Sequence, residues 1–156
     1  MKRFVAIMSF ALAVSLQAAA SPELAGEWGQ KAARLHQQTV AMRAGAPAPD
    51  GFEDELARFS VTSARLASWI DSQEGPADLG CIFRGMAGEA EAQLVALESG
   101  GRAGALDRLI AMFSDAELVS AAAIRAVSRD DQTGADAPGT CPAHPFRRDQ
   151  YFTEQP

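Results

Sequence analysis

The chain has 156 residues, 47% of them hydrophobic, with 14 basic against 20 acidic side chains and two cysteines. That length and apolar content suit one domain with a packed core. The net charge of −6 is not relieved by any basic stripe, so the sequence lacks the electrostatic footprint of a nucleic-acid or anionic-lipid binder.

Residues 1–20, MKRFVAIMSFALAVSLQAAA, have the three parts of an export signal. Lys2 and Arg3 supply a positive start, Phe4 to Leu16 an apolar core, and Ala18-Ala19-Ala20 a small-residue cleavage pattern that places the cut after Ala20. The apolar run is short of the ~20 residues a spanning helix needs, and no cysteine follows it to carry a lipid. Its removal takes two basic and no acidic residues, leaving 12 positive against 20 negative charges, or −8. The basic start and short apolar core match a bacterial Sec-type signal, so the expected compartment is the periplasm or the medium outside the cell. No stable membrane insertion is expected after cleavage.

Residues 21–129 read as helical. Ser21-Pro22 opens the first segment, with Leu24, Trp28, Leu35 and Met42 on one face, and RAGAPAPDG ends it. Asp50-Gly-Phe-Glu53 has the form of a capping box for the second, whose face is Phe52, Leu56, Phe59, Ser63, Leu66 and Ile70. After DSQEGP, Pro76 opens the third, with Leu79, Ile82, Phe83, Met86, Ala90, Leu94 and Leu97 inward. ESGGRAG then separates a fourth segment, from about Ala105 to Val127. Ser114-Asp-Ala-Glu117 lies inside it. Unbroken, the helix would carry Glu117 into the core; the favoured reading instead makes Ser114 a second cap, giving a kink or five helices. Short connections make antiparallel neighbours, so the expected fold is an all-α, up-and-down four-helix bundle. From 130 to 156 the helical period is lost, yet this tail carries Phe146, Tyr151 and Phe152.

In such a bundle the fourth helix ends beside the start of the third, which brings the tail to Cys81. Two cysteines in an oxidising compartment are most simply a disulfide, and Cys141 is within reach of Cys81 at ~3.3 Å per extended residue. A Cys81–Cys141 bond closing this loop is worth ~4 kcal/mol on the chain-entropy model.

At 100° per residue, Cys81 lies opposite the third segment's core face together with Ala77, Gly85, Gly88, Ala92 and Ser99. Glycine inside a helix costs ~1 kcal/mol relative to alanine, so two on an outward face call for a reason. The favoured one is close approach of another backbone, with the tail docked along the stripe. The competing one is a groove for a second protein or a second copy of the chain. Trp28, Trp69 and Phe83 fall toward the same end of the bundle, where they either cap the core or line a small pocket with Arg84 oriented toward an anionic group.

Covalent haem needs C-x-x-C-H, and this chain has Cys141-Pro-Ala-His144, lacking one cysteine and one residue of spacing. The candidate axial ligands His36, Met42 and Met86 fall at different levels of the bundle, so no cofactor and no metal is expected. His36 reads as a helix-surface residue and His144, between Pro142 and Pro145, as part of a rigid turn. No H-E-x-x-H, C-x-x-C, G-x-S-x-G or phosphate-loop pattern occurs. The function expected from these signals is binding, to a protein partner or to a second copy, without catalysis. A small-ligand, haem or metal carrier is the alternative, and a hydrolase built around Glu117 and a histidine ranks last.

Overall fold

The structure is a computed structural model that describes residues 22–73, 75–127 and 141. Residues 1–20 and the tail, including His144, Phe146, Tyr151 and Phe152, lie outside the described residues apart from Cys141, and so does the expectation that the tail covers the third helix. Four helices follow in order: α1 Pro22–Arg43, α2 Phe52–Ser72, α3 Ala77–Glu98 and α4 Arg102–Val127. Cross-helix pairs give their directions. Along α1, Gly29, His36 and Arg43 meet Ser120, Glu117 and Asp107 of α4, so sequence runs up one helix as it runs down the other. Asp71 and Ser60 of α2 meet Arg84 and Glu91 of α3 in the same opposed sense. The bundle is therefore up-and-down, with α1 packed chiefly on α4 and α2 chiefly on α3.

The apolar spacing of each helix becomes the core. Trp28, Leu35 and Met42 of α1, Phe52, Leu56, Phe59, Leu66 and Ile70 of α2, and Leu79, Phe83, Met86 and Ala90 of α3 are buried. Leu106, Leu109, Met112, Phe113, Ala116 and Ala123 complete it from α4. The central ring cluster takes one aromatic from each helix. Trp28 stacks on Phe59 with ring centroids 5.0 Å apart, meets Phe83 edge-on at 4.9 Å, and Phe59 meets Phe113 edge-on at 5.2 Å. Such pairs contribute ~0.5–1.5 kcal/mol each beyond the area they bury.

The buried polar groups are paired within and between the helices. The Trp28 indole N–H donates to Ser63 Oγ at 2.8 Å, and that hydroxyl donates to the Phe59 carbonyl at 2.8 Å. Thr39 donates back to the Leu35 carbonyl at 2.7 Å. Among the described residues no buried side-chain polar atom lacks a partner, as the cost of leaving one unsatisfied requires.

One helix start differs from expectation. The Asp50–Glu53 capping box does not form: Gly51 is the cap residue of α2, at φ 76°, and makes no side-chain cap bond. The left-handed turn at Gly51 follows a Phe52 N–H to Pro49 carbonyl bond of 3.2 Å, which leaves Asp50 one position too early to cap. Glu53, Asp54 and Glu55 instead place negative charge in the first turn, where the helix dipole favours it. Pro76 caps α3 from just outside the helix, whose backbone bonding begins with Gly80 N–H to the Pro76 carbonyl at 3.3 Å.

The fourth segment needs a larger correction. Helix α4 runs unbroken through Ser114, which caps nothing, so there are four helices and not five. Phe113, Ala116 and Ala123 keep the inward period across the expected break, and burying them against the other helices outweighs the local capping pattern. Glu117 does not enter the core either. Its side chain is 44% exposed and lies on the flank of α4 that faces α1.

Candidate functional site

At the end of the bundle where α3 begins, Gly80, Asp71, Arg84 and the two cysteines form one assembly. Gly80 is buried, and a Cβ on it would stand 2.6 Å from Asp71 Oδ1. The missing side chain lets the Asp71 carboxylate of α2 lie against α3. Arg84, one turn beyond Gly80, donates from Nη1 to Asp71 Oδ2 at 2.5 Å. Cys81 and Cys141 are joined by a disulfide, with Cα atoms 5.3 Å apart and 60 residues between them in sequence. The guanidinium also reaches the sulfurs: Nη2 and Nε lie 3.1 and 3.3 Å from Cys141 Sγ, and Nη2 lies 3.7 Å from Cys81 Sγ. Arg84 is thus shared between a carboxylate and a disulfide at a partly exposed site.

Above this assembly the outward face of α3 is open among the described residues. Cβ atoms built at Gly85 and Gly88 meet nothing within 4 Å. Gly88 and Ala92 are exposed, and Ala77, Cys81 and Gly85 half-buried. Val95, 64% exposed, continues the line by one further three-residue step. The charges along both borders are engaged. On the α2 side Arg84 holds Asp71, and Glu91 Oε1 accepts the Ser60 hydroxyl at 2.9 Å, with the Ala87 carbonyl as a second acceptor at 3.1 Å. On the α4 side Glu89 accepts Gln93 Nε2 at 3.0 Å and lies 3.5 Å from Arg108 Nη1. The floor is small and apolar and the rims are already paired, a composition that suits a peptide backbone or an apolar side chain better than a charged small molecule.

The expected aromatic group is divided. Trp28 and Phe83 meet in the core, joined by Phe59 and Phe113, while Trp69 is only partly buried at the core's margin. Trp28 is 1% exposed and its N–H is committed to Ser63, so it offers the surface neither shape nor a donor. Arg84 is at the same end but faces Asp71 and the disulfide.

His36, read as a helix-surface residue, and Glu117, read as a capping partner, come together. His36 Nδ1 lies 2.9 Å from Glu117 Oε1 across the α1–α4 groove. A carboxylate orienting an imidazole is part of general-base machinery, but among the described residues no hydroxyl or thiol bonds to the ring. Among those residues there is also no group of three or more His, Cys, Asp or Glu side chains placed to hold a metal, and no helix long and apolar enough to cross a membrane.

Arg84, expected to orient an anionic group, is held by Asp71, while the sequence reading did pair the cysteines and turn Gly85 and Gly88 outward. It missed Asp71, Gly80, Val95 and the His36–Glu117 contact. Val95 was legible as the next step of the same stripe. Gly80 stood one residue before Cys81 as another glycine inside a helix, but its reason is a carboxylate from a different helix.

No protein-family model matches this sequence, and comparison with curated proteins and with solved structures finds no match.

Proposed function

We propose that this protein is an exported, disulfide-stapled helical bundle that binds a protein partner without catalysis, using the outward face of α3. The observation that carries the reading is the face itself: Gly85 and Gly88 with open space above them, Ala92 and Val95 exposed, and bordering charges already paired. Two helix-interior glycines cost ~1 kcal/mol each relative to alanine, and open space above them means that nothing among the described residues accounts for the absent side chains. The leader-like residues 1–20 and the two joined cysteines support an oxidising, extracytoplasmic compartment, with the periplasm of a bacterium as the proposed location.

The test is affinity capture from a periplasmic extract under non-reducing conditions, run in parallel with the full chain, a Gly88→Trp variant and a Val61→Arg variant on a different helix. A partner retained by the full chain and by Val61→Arg but lost by Gly88→Trp supports the reading. Equal retention by all three removes the α3 face from it, and a stoichiometric chromophore or metal in protein purified from its native compartment replaces it with a carrier.

A further inference from the structure

The reactivity of a disulfide depends on which sulfur a thiolate can reach and on how well its neighbours stabilise the sulfur that leaves. Among the described residues Cys141 is exposed and Cys81 half-buried, which favours attack at Cys141. Cys81 and Arg84 stand three residues apart on α3, the spacing that keeps side chains adjacent on a helix whatever the tail does. Arg84 borders both sulfurs, with Nη2 3.1 Å from Cys141 Sγ and 3.7 Å from Cys81 Sγ, but only Cys81 shares its helix and stays beside it once the bond is broken; Asp71 holds the guanidinium from α2. A guanidinium within reach of a partly exposed sulfur favours thiolate over thiol.

We infer that Cys81–Cys141 is an exchangeable disulfide, a site of attack for a dithiol reductant, with Arg84 as the residue that stabilises the departing Cys81 thiolate. A reductant thiolate attacks Cys141 Sγ, the Cys81–Cys141 bond breaks, and its electron pair leaves on Cys81 beside Arg84. The reductant's second thiol, as thiolate, then attacks the reductant's own sulfur in the mixed disulfide and expels Cys141. Two electrons pass from the dithiol to the protein, the reductant closes its own disulfide, and its two protons are left for the two cysteines. The charged groups around Cys81 are Arg84 and Asp78 on its own helix and Asp71 on α2. Asp78 Oδ1 accepts the Leu79 N–H at 2.9 Å, and Asp71 is bound to Arg84, which leaves the guanidinium as the charge nearest sulfur. The outcome of exchange is a chain no longer covalently tied at residue 141 to α3. This inference does not rest on a partner for the α3 face.

The test measures reduction of the oxidised full chain by dithiothreitol at fixed pH, counting released thiols with time. Arg84→Gln is expected to slow reduction at least several-fold and Arg84→Lys to fall between. Asp71→Asn, which loses the same ion pair but keeps the guanidinium, is expected to match or exceed the parent rate. Reduction of Arg84→Gln at or above the parent rate overturns the assignment, since a merely structural Arg84–Asp71 pair would loosen the site when either partner is lost. As a second readout, a Cys141→Ser chain should titrate its Cys81 thiol below the ordinary value of about 8.5 and return to it on Arg84→Gln. No change there overturns the role of Arg84 independently of the rates.

Discussion

His36 Nδ1 on α1 and Glu117 Oε1 on α4 meet at 2.9 Å, although 81 residues separate them and neither lies on its helix's apolar face. The two side chains are 26% and 44% exposed, so water competes for both. Exposed pairs of this kind contribute ~0–1 kcal/mol. A double-mutant cycle of His36→Ala and Glu117→Ala, followed by urea unfolding, should give a coupling within that range that shrinks in high salt. A coupling above ~2 kcal/mol would mean that the groove between α1 and α4 excludes water.

Gly29 and Gly88 should respond to alanine with opposite signs. A Cβ at Gly29 would lie 2.6 Å from both Cβ and Oγ of Ser120, so α1 and α4 must separate to admit it. Overpacking costs ~1–3 kcal/mol, more than the ~1 kcal/mol that alanine's helix propensity returns. Gly88 has open space, so Gly88→Ala should stabilise by up to ~1 kcal/mol. Denaturation midpoints at unchanged m-value test both, and Ser120→Gly should rescue Gly29→Ala. If both alanines stabilise, the close α1–α4 approach is wrong; if Gly88→Ala destabilises, residues outside the described set already occupy the α3 face.

Ser63 should matter more than a surface serine because it accepts the buried Trp28 N–H at 2.8 Å. Ser63→Ala strips that donor of its partner at a cost of ~1–3 kcal/mol. Trp28→Phe loses the same bond and leaves unfilled space. The double variant Trp28→Phe/Ser63→Ala should cost less than the two changes summed, since removing the indole removes the unsatisfied group. Additive effects in equilibrium unfolding would show that the bond carries no weight.

Acid should weaken the fold through two carboxylates. Hydrogen bonding and charge from Lys31, reinforced by Arg58 and Arg34, hold the Glu55 carboxyl below its ordinary range, and Arg43 does the same for Asp107. A depressed folded-state pKa stabilises above the unfolded value and loses that contribution as pH falls through the folded one. Stability from these groups should therefore be fully present at neutral pH and decline below about pH 4. Glu55→Gln and Asp107→Asn should each flatten the acid limb of the melting temperature against pH; an unchanged limb in both would show that the pairs do not persist in solution.

Much of the architecture could be read along single helices. The apolar spacing identified inward faces on the first three, and the breaker-rich links implied antiparallel neighbours. Two cysteines in a chain with an export-like leader left one intramolecular pairing to consider, and that is the bond present between Cys81 and Cys141. Glu117 shows where such reading stops. Its local pattern with Ser114 argued for a cap and its angle on α4 argued for burial, and it does neither.

The difference between Gly80 and Gly88 has the same origin. Both are glycines inside α3, yet one admits the Asp71 carboxylate and the other faces open space. Periodicity states the direction in which a residue leaves its own helix axis, because that depends only on neighbours a few positions away. Which carboxylate, ring or backbone waits there depends on the rotation and separation of helices distant in sequence. Those are settled by the packing of Trp28, Phe59, Phe83 and Phe113 into one core. Helices, their inner faces and the cysteine pairing are thus properties of the sequence. The Asp71–Arg84–disulfide assembly, the His36–Glu117 contact and the unbroken α4 belong to the tertiary structure.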